Sequence, residues 1–116
     1  MQLTQEQVLN LSGGELDIAV ALARGWQARH SVEFGHSIYF NQNAEMIMSV
    51  FNYHPSTNGS QCMEIMQCYR IGVNFNTNGA IAWMSDKGIV GGTIAGETVM
   101  IAICRCFVLS KLDMIK

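Results

Sequence analysis

The sequence predicts an α+β fold: a small antiparallel β-sheet packed by an N-terminal helix and a buried, apolar C-terminal helix. Three observations carry that expectation. Helical spacing of apolar residues appears early in the chain. Short β-branched and aromatic runs broken by Asn and Gly fill the middle, and an almost wholly apolar stretch closes it. At 116 residues the chain has room for one ordinary domain, 1–116, and not for a second core.

Ser12-Gly13-Gly14-Glu15 fits a capping box, in which Ser12 caps the first helix and Glu15 reaches back. Leu16, Ala19, Val20 and Ala23 follow at helical spacing, and Gly25 is a natural stop. Thr4-Gln5-Glu6-Gln7 offers a cap for a short preceding turn. From Trp26 the texture changes, and residues 27–34, 36–41 and 45–53 read as three antiparallel strands. Glu45-Met46-Ile47-Met48 fits a helical turn as well as a strand.

The single proline, Pro55, opens Pro55-Ser56-Thr57-Asn58-Gly59-Ser60, the most loop-like segment of the chain. Residues 70–76 and 79–85 read as two further strands, joined by a turn at Thr77-Asn78-Gly79 where positive φ is tolerated. Residues 88–92 form a glycine-rich connection. Thr98 then caps a last helix over 98–112 whose apolar residues cover every face, the pattern of a helix buried on several sides.

Composition bounds the function. Hydrophobic residues make up 49% and charged residues 14%, against about a quarter charged in a typical soluble domain. So little charge leaves apolar surface that a subunit interface or a ligand pocket would cover, and a homo-oligomer is expected. With net charge −2 and seven scattered basic residues, there is no stripe to neutralise phosphates, so polymeric nucleic acid is not an expected partner. The first residues lack a basic, apolar leader, and no apolar run is long enough to span a bilayer. A cytoplasmic protein without a membrane partner is expected.

Most familiar chemistries lack their residues. Cys62, Cys68, Cys104 and Cys106 include no C-x-x-C pair and read as reduced thiols acting as small hydrophobes. His30, His36 and His54 fall in separate segments without an acidic cluster, so no metal is expected. Gly91-Gly92-Thr93-Ile94-Ala95-Gly96 lacks the lysine and hydroxyl of a phosphate loop and reads as a mobile loop. His54, Ser56 and Cys62 lie near one another, yet no nucleophile elbow surrounds them. The expectation is a protein that is not an enzyme and needs no cofactor.

Two places can bind something. Arg105 is a guanidinium inside an apolar helix and must find an anion, a bidentate carboxylate or a path to water. Glu64, Asp86 or Glu97 would satisfy it internally, and a phosphate or carboxylate ligand would do so functionally. The segment from Tyr53 to Gln61 offers a phenol, the hydroxyls of Ser56 and Thr57, and two amides. It reads equally as an ordinary loop whose Asn and Ser satisfy local turns.

Three blocks of sequence then line up with a known family. They are Gly14-Glu15-Leu16-Asp17-Ile18-Ala19-Val20-Ala21, Tyr53-His54-Pro55-Ser56-Thr57-Asn58-Gly59-Ser60-Gln61, and Ile101-Ala102-Ile103-Cys104-Arg105-Cys106-Phe107-Val108-Leu109-Ser110-Lys111-Leu112. In these blocks the chain resembles the NinX-like family of small phage proteins, with Trp83 where that family tends to place a tryptophan. It departs from the family pattern at Asn58, Gly59 and Cys62-Met63.

The resemblance implies a phage or prophage accessory protein of unknown function acting inside a bacterium. By analogy of size and setting, it suggests an oligomeric sponge for a nucleotide signal of host defence. Arg105 would then contact phosphate, Tyr53, Ser56, Thr57 and Gln61 would supply polar contacts, and Trp83 or Tyr69 a stacking face. The alternative is an interaction module that blocks a host enzyme by direct contact.

Overall fold

A computed structural model describes residues 4–76, 79–84 and 93–112. Among these, four α-helices accompany two three-stranded antiparallel sheets, an α+β architecture. The predicted strands thus divide between two sheets.

Thr4 caps helix α1 (Gln5–Leu9) with a full capping box, its hydroxyl accepting from Gln7 while Gln7 reaches back to the Thr4 amide. Helix α2 (Gly13–Ala23) starts after Ser12 as predicted, but the Ser12 side chain makes no cap bond. Gly13 has φ +58°, which departs from the backbone course a capping box requires. The far end follows expectation. Gly25 takes φ +84°, its amide donates to Leu22 O at 3.0 Å, and the Trp26 amide donates to Ala21 O at 3.1 Å. That pair of bonds is a Schellman stop.

Strands β1 (Gln27–Ser31), β2 (His36–Phe40) and β3 (Met46–Ser49) form the first sheet in that order. The first predicted strand is shorter than expected, because residues 32–35 turn over and Gly35 adopts φ +74°. A 3-10 turn (Val50–Asn52) follows β3, so residues 45–53 are strand and then turn.

Helix α3 (Gly59–Tyr69) was not predicted. Its signal was present: Cys62, Ile65, Met66 and Tyr69 recur at helical spacing and all turn toward the core. Asn58-Gly59-Ser60, read as the end of a loop, is the helix start, and the Asn58 side chain accepts from the Gln61 amide at 3.0 Å. Arg70 closes α3 in a left-handed conformation at φ +53°.

Strands β4 (Ile71–Asn76), β5 (Gly79–Met84) and β6 (Ile94–Gly96) make the second sheet. Thr77 and Asn78 of the predicted turn, Ser85, Asp86 and the 88–92 connection lie outside the described residues. Strand β6 corrects the mobile-loop reading of 91–96: Ile94, Ala95 and Gly96 pair with Ala82, Ile81 and Ala80. Gly96 serves close packing there, since a Cβ would collide with the Ala102 backbone of the last helix.

Helix α4 (Val99–Ser110) is capped by Thr98, whose hydroxyl accepts from Ile101 at 3.1 Å. It packs against β4, β5 and β6 on one side and against α1, α2 and α3 elsewhere. Residues 102–108 are all buried. The all-round apolarity of this helix is therefore accounted for within one chain. Tyr39 joins the same core, together with the half-buried Ile47, Met48 and Val50.

Candidate functional site

Arg105 sits on α4 at 6% exposure with every guanidinium nitrogen engaged. Nε donates to Leu11 O at 2.9 Å and Nη1 to Ala95 O at 3.1 Å. Nη2 lies 3.3 Å from Glu97 Oε2. Of the three carboxylates considered, Glu97 takes the pair, Glu64 bridges to Arg24 at 2.8 Å, and Asp86 is outside the described residues. The two carbonyls lie at the α1–α2 junction and on β6, so Arg105 ties both to α4. Only its third contact reaches outward, because the Glu97 side chain is 68% exposed.

The segment from Tyr53 to Gln61 is also occupied with its own structure. Asp17, buried on α2, accepts the Ser56 amide at 2.8 Å through Oδ1, while Oδ2 stands 3.5 Å from His54 Nδ1. Gln61 reaches back into the segment, accepting from the His54 amide at 2.6 Å and donating to Asn52 O at 2.7 Å. His54 Nε2 also meets Phe51 O. Thr57 is exposed, and its hydroxyl turns inward to His54 O at 3.5 Å.

Tyr53 is buried beside Trp26 and Tyr39, and its hydroxyl accepts from Arg24 at 3.1 Å. Burial pushes its phenol up to about 12, against the opposing pull of Arg24. Arg24 also lies over the Trp26 ring, 4.4 Å from its centroid, so this aromatic corner is closed by one cation.

Tyr69 and Trp83 sit elsewhere. Tyr69 packs on Phe107 with centroids 4.3 Å apart. Trp83 lies across Gly72 on the neighbouring strand, where an added Cβ would meet the indole at 2.5 Å. Tyr53, Ser56, Thr57 and Gln61 thus share one segment, while Arg105, Tyr69 and Trp83 are each committed to a different neighbour. Surface hollows among the described residues include one along α3 (Gly59, Ser60, Met63, Glu64, Gln67, Cys68) and one beside α1 and α2 (Glu6, Gln7, Asn10, Leu11, Glu15). Neither is lined by any of these seven residues.

The residues that do come together on the surface form the outer face of the first sheet. Tyr39 and Met48 are register partners, and both reach the core. By alternation His36, Ile38 and Phe40 turn the other way. Ile38 is only 4% exposed yet does not join the main core. His36 and Phe40 carry further contacts: Phe34 stacks on His36 at 6.3 Å, Phe51 meets His36 edge-on at 5.4 Å, and Arg29 lies 5.5 Å from the Phe40 ring. Phe34 is 52% exposed, Phe51 68%, Met46 59% and Val32 90%.

Sequence reasoning missed this face, although a signal existed. Ile38-Tyr39-Phe40 places bulky apolar residues on both sides of one strand, and a three-stranded sheet with a single core can cover only one side. Val32 and Phe34 in the adjoining turn point to the same surplus.

Among the described residues no three His, Cys, Asp or Glu side chains gather to hold a metal ion. No described helix is long and apolar enough to cross a membrane. A family model described as "Bacteriophage P22, NinX" matches residues 7–111. No curated protein and no solved structure matches the chain.

Proposed function

The chain belongs to the bacteriophage P22 NinX family, and from that premise we propose that it is a non-enzymatic phage accessory protein. It works in the host bacterial cytoplasm by binding a host protein through the outer face of its first sheet. The observation that carries this reading is the pair of exposed rings, Phe34 and Phe51, that both pack on His36 of β2. Exposed aromatics flanked by a cation are the composition that dominates protein contacts. A partner would bury the rings, and Arg29 and the half-buried His36 would supply polar contacts at the rim.

The test is comparative. Wild type and a Phe34→Ser/Phe51→Ser variant serve as baits in extract of the bacterial host, with sedimentation of each protein alone run in parallel. The reading expects a host protein held by wild type and released by the variant, with equal melting temperatures. Retention by both baits would overturn it. So would a self-association lost in the variant, which would assign the face to a second copy.

A second reading is favoured by one observation at Arg105. The only outward contact described for that guanidinium is the largely exposed Glu97 carboxylate, which a phosphate could replace. Under this reading the protein is an oligomeric sponge for a nucleotide signal, with Arg105 as its anion anchor. It expects a rise in melting temperature with cyclic or ADP-ribose-type nucleotides, increased by Glu97→Gln. No shift with either protein would remove it.

A further inference from the structure

Phe51 is held through both of its backbone polar groups. Its amide donates to Ser49 Oγ at 3.2 Å, and its carbonyl meets His54 Nε2. The next carbonyl, Asn52 O, accepts from Gln61 at 2.7 Å. The 3-10 turn (Val50–Asn52) that presents the exposed Phe51 ring is therefore pinned from behind by His54.

His54 is placed in turn by α2. Its Nδ1 stands 3.5 Å from Oδ2 of the buried Asp17, whose Oδ1 takes the Ser56 amide. Each ring nitrogen thus faces an oxygen that can only accept, a carboxylate on one side and a carbonyl on the other. A neutral imidazole carries one N–H and can serve one of them. The imidazolium carries two and serves both.

We propose that His54 is a proton-controlled latch on the docking face: its imidazolium pins the Phe51 turn, and loss of the Nε2 proton releases it. The latch regulates the docking surface proposed above and rests on that reading.

Burial decides which proton leaves. Losing the Nδ1 proton would take a donor from a buried carboxylate, whereas the Phe51 contact is exposed and its carbonyl can turn to water. The neutral form therefore keeps Nδ1–H on Asp17 and turns a lone pair toward Phe51 O. Two lone pairs then face each other, and the carbonyl swings away. Ser49 and Gln61 keep their bonds, so the release is local to the Phe51 carbonyl and ring. Histidine changes charge between roughly pH 5 and 8, so the pinned form belongs to the acid side and the released form to the alkaline side.

The groups around His54 come from several elements. From α2, Asp17 supplies the facing charge, and from α3 the neutral Gln61 accepts the His54 amide at 2.6 Å. Glu64 of α3 is bridged to Arg24. Behind Asp17 lie the Tyr39 phenol of β2 and the Cys104 thiol of α4. His36 of β2 touches the Phe51 ring and Ser49 Oγ, so it is the histidine whose titration must be separated from that of His54.

The test is nuclear magnetic resonance of the whole isotope-labelled protein, titrated over roughly pH 5 to 8. The imidazole nitrogens of His54 report its protons, and the carbonyl carbon of Phe51 reports the latch. His54 should carry both protons at the acid end and lose the one on Nε2, with the Phe51 carbonyl shifting at the same midpoint. In His54→Gln that carbonyl should no longer respond to pH, whereas in His36→Gln it should respond as in wild type. A Phe51 carbonyl that stays still while His54 titrates would overturn the latch, and so would a His54 that keeps one form throughout or gives up its Nδ1 proton. A response that survives in His54→Gln and vanishes in His36→Gln would do the same. The wild-type titration follows each histidine by its own resonances, so the test stands even if a variant fails to fold.

Wild type should also hold its captured host protein roughly fivefold more tightly at the acid end, the worth of one hydrogen bond, and His54→Gln equally at both ends. Capture that ignores pH in wild type would sink the latch and leave the docking face standing. A Phe51 response to His54 with no captured protein would sink the docking face alone.

Discussion

Phe107 and Phe51 are the same residue in opposite situations. Phe107, on α4, has 0% exposure and packs on Tyr69, whereas Phe51, at the edge of the first sheet, has 68% exposure. The regions around them differ likewise. Around α4, the second sheet and three other helices close over every face, and even the charged Arg105 is bound by the chain's own carbonyls. Around Ile38, one side of the first sheet is sealed by Tyr39 and Met48, while the other ends in bare aromatic rings. Apolar residues in the first region hold the fold. Those in the second contribute little to it, and the proposed partner would bury them.

Substitutions should separate the two regions by the size of their effects. Phe107→Ala leaves a cavity in the fully closed region and should cost about 3–5 kcal/mol, a loss read directly by urea denaturation. Arg105→Ala removes two part-buried hydrogen bonds, to Leu11 O and Ala95 O, and should cost about 1–3 kcal/mol. Glu97→Gln, at the exposed end of the same arginine, should cost at most about 1 kcal/mol. A large effect of Glu97→Gln and a small one of Arg105→Ala would break the assignment of Arg105 as an internal tie.

Asp17 probes the link between the closed region and the Tyr53–Gln61 segment. Asp17→Ala strands the buried Ser56 amide and should cost about 1–3 kcal/mol in the same denaturation assay. Protease sensitivity rising around Pro55 would identify the segment that loosens.

Tyr53 gives a pH test of similar size. Its phenol is raised by burial from an ordinary value of 10.0 to about 12. A raised pKa means the stabilising contribution is complete below pH 10 and is lost as pH climbs through about 12. The loss should reach about 2–3 kcal/mol. Tyr53→Phe should flatten that alkaline decline, as followed by circular dichroism between the two limits. At the small end, Phe51→Ser should change stability by no more than about 0.5 kcal/mol, because so little of its ring is buried.

The sequence was most readable where local chemistry decides structure. Thr98 and Gly25 carry clear capping chemistry, Thr4 carries a fainter signal that the capping box of α1 bears out, and the predicted end of α4 lies within two residues of the observed one. Legibility failed where a single residue serves two possible roles. Asn58 and Gly59 read as loop residues because Asn favours both turns and helix caps, so α3 was lost. Gly96 looked like flexibility, but its lack of a side chain serves contact with Ala102. The division into two sheets depends on contacts far apart in sequence and has no local signature. For the candidate site, the polar character of the Tyr53–Gln61 segment was correctly noted. What sequence could not convey is that Asp17, 39 residues from Ser56, already holds it from within.

In the proposed division, the outer face of the first sheet takes a protein partner and the α4 region is scaffold. Hydrogen exchange on the protein with and without the host protein it captures tests this most directly. The account predicts added protection across residues 27–40 and 46–51, and none along α4. Protection confined to α4, to the Tyr53–Gln61 segment or to the surroundings of Arg105 would contradict it.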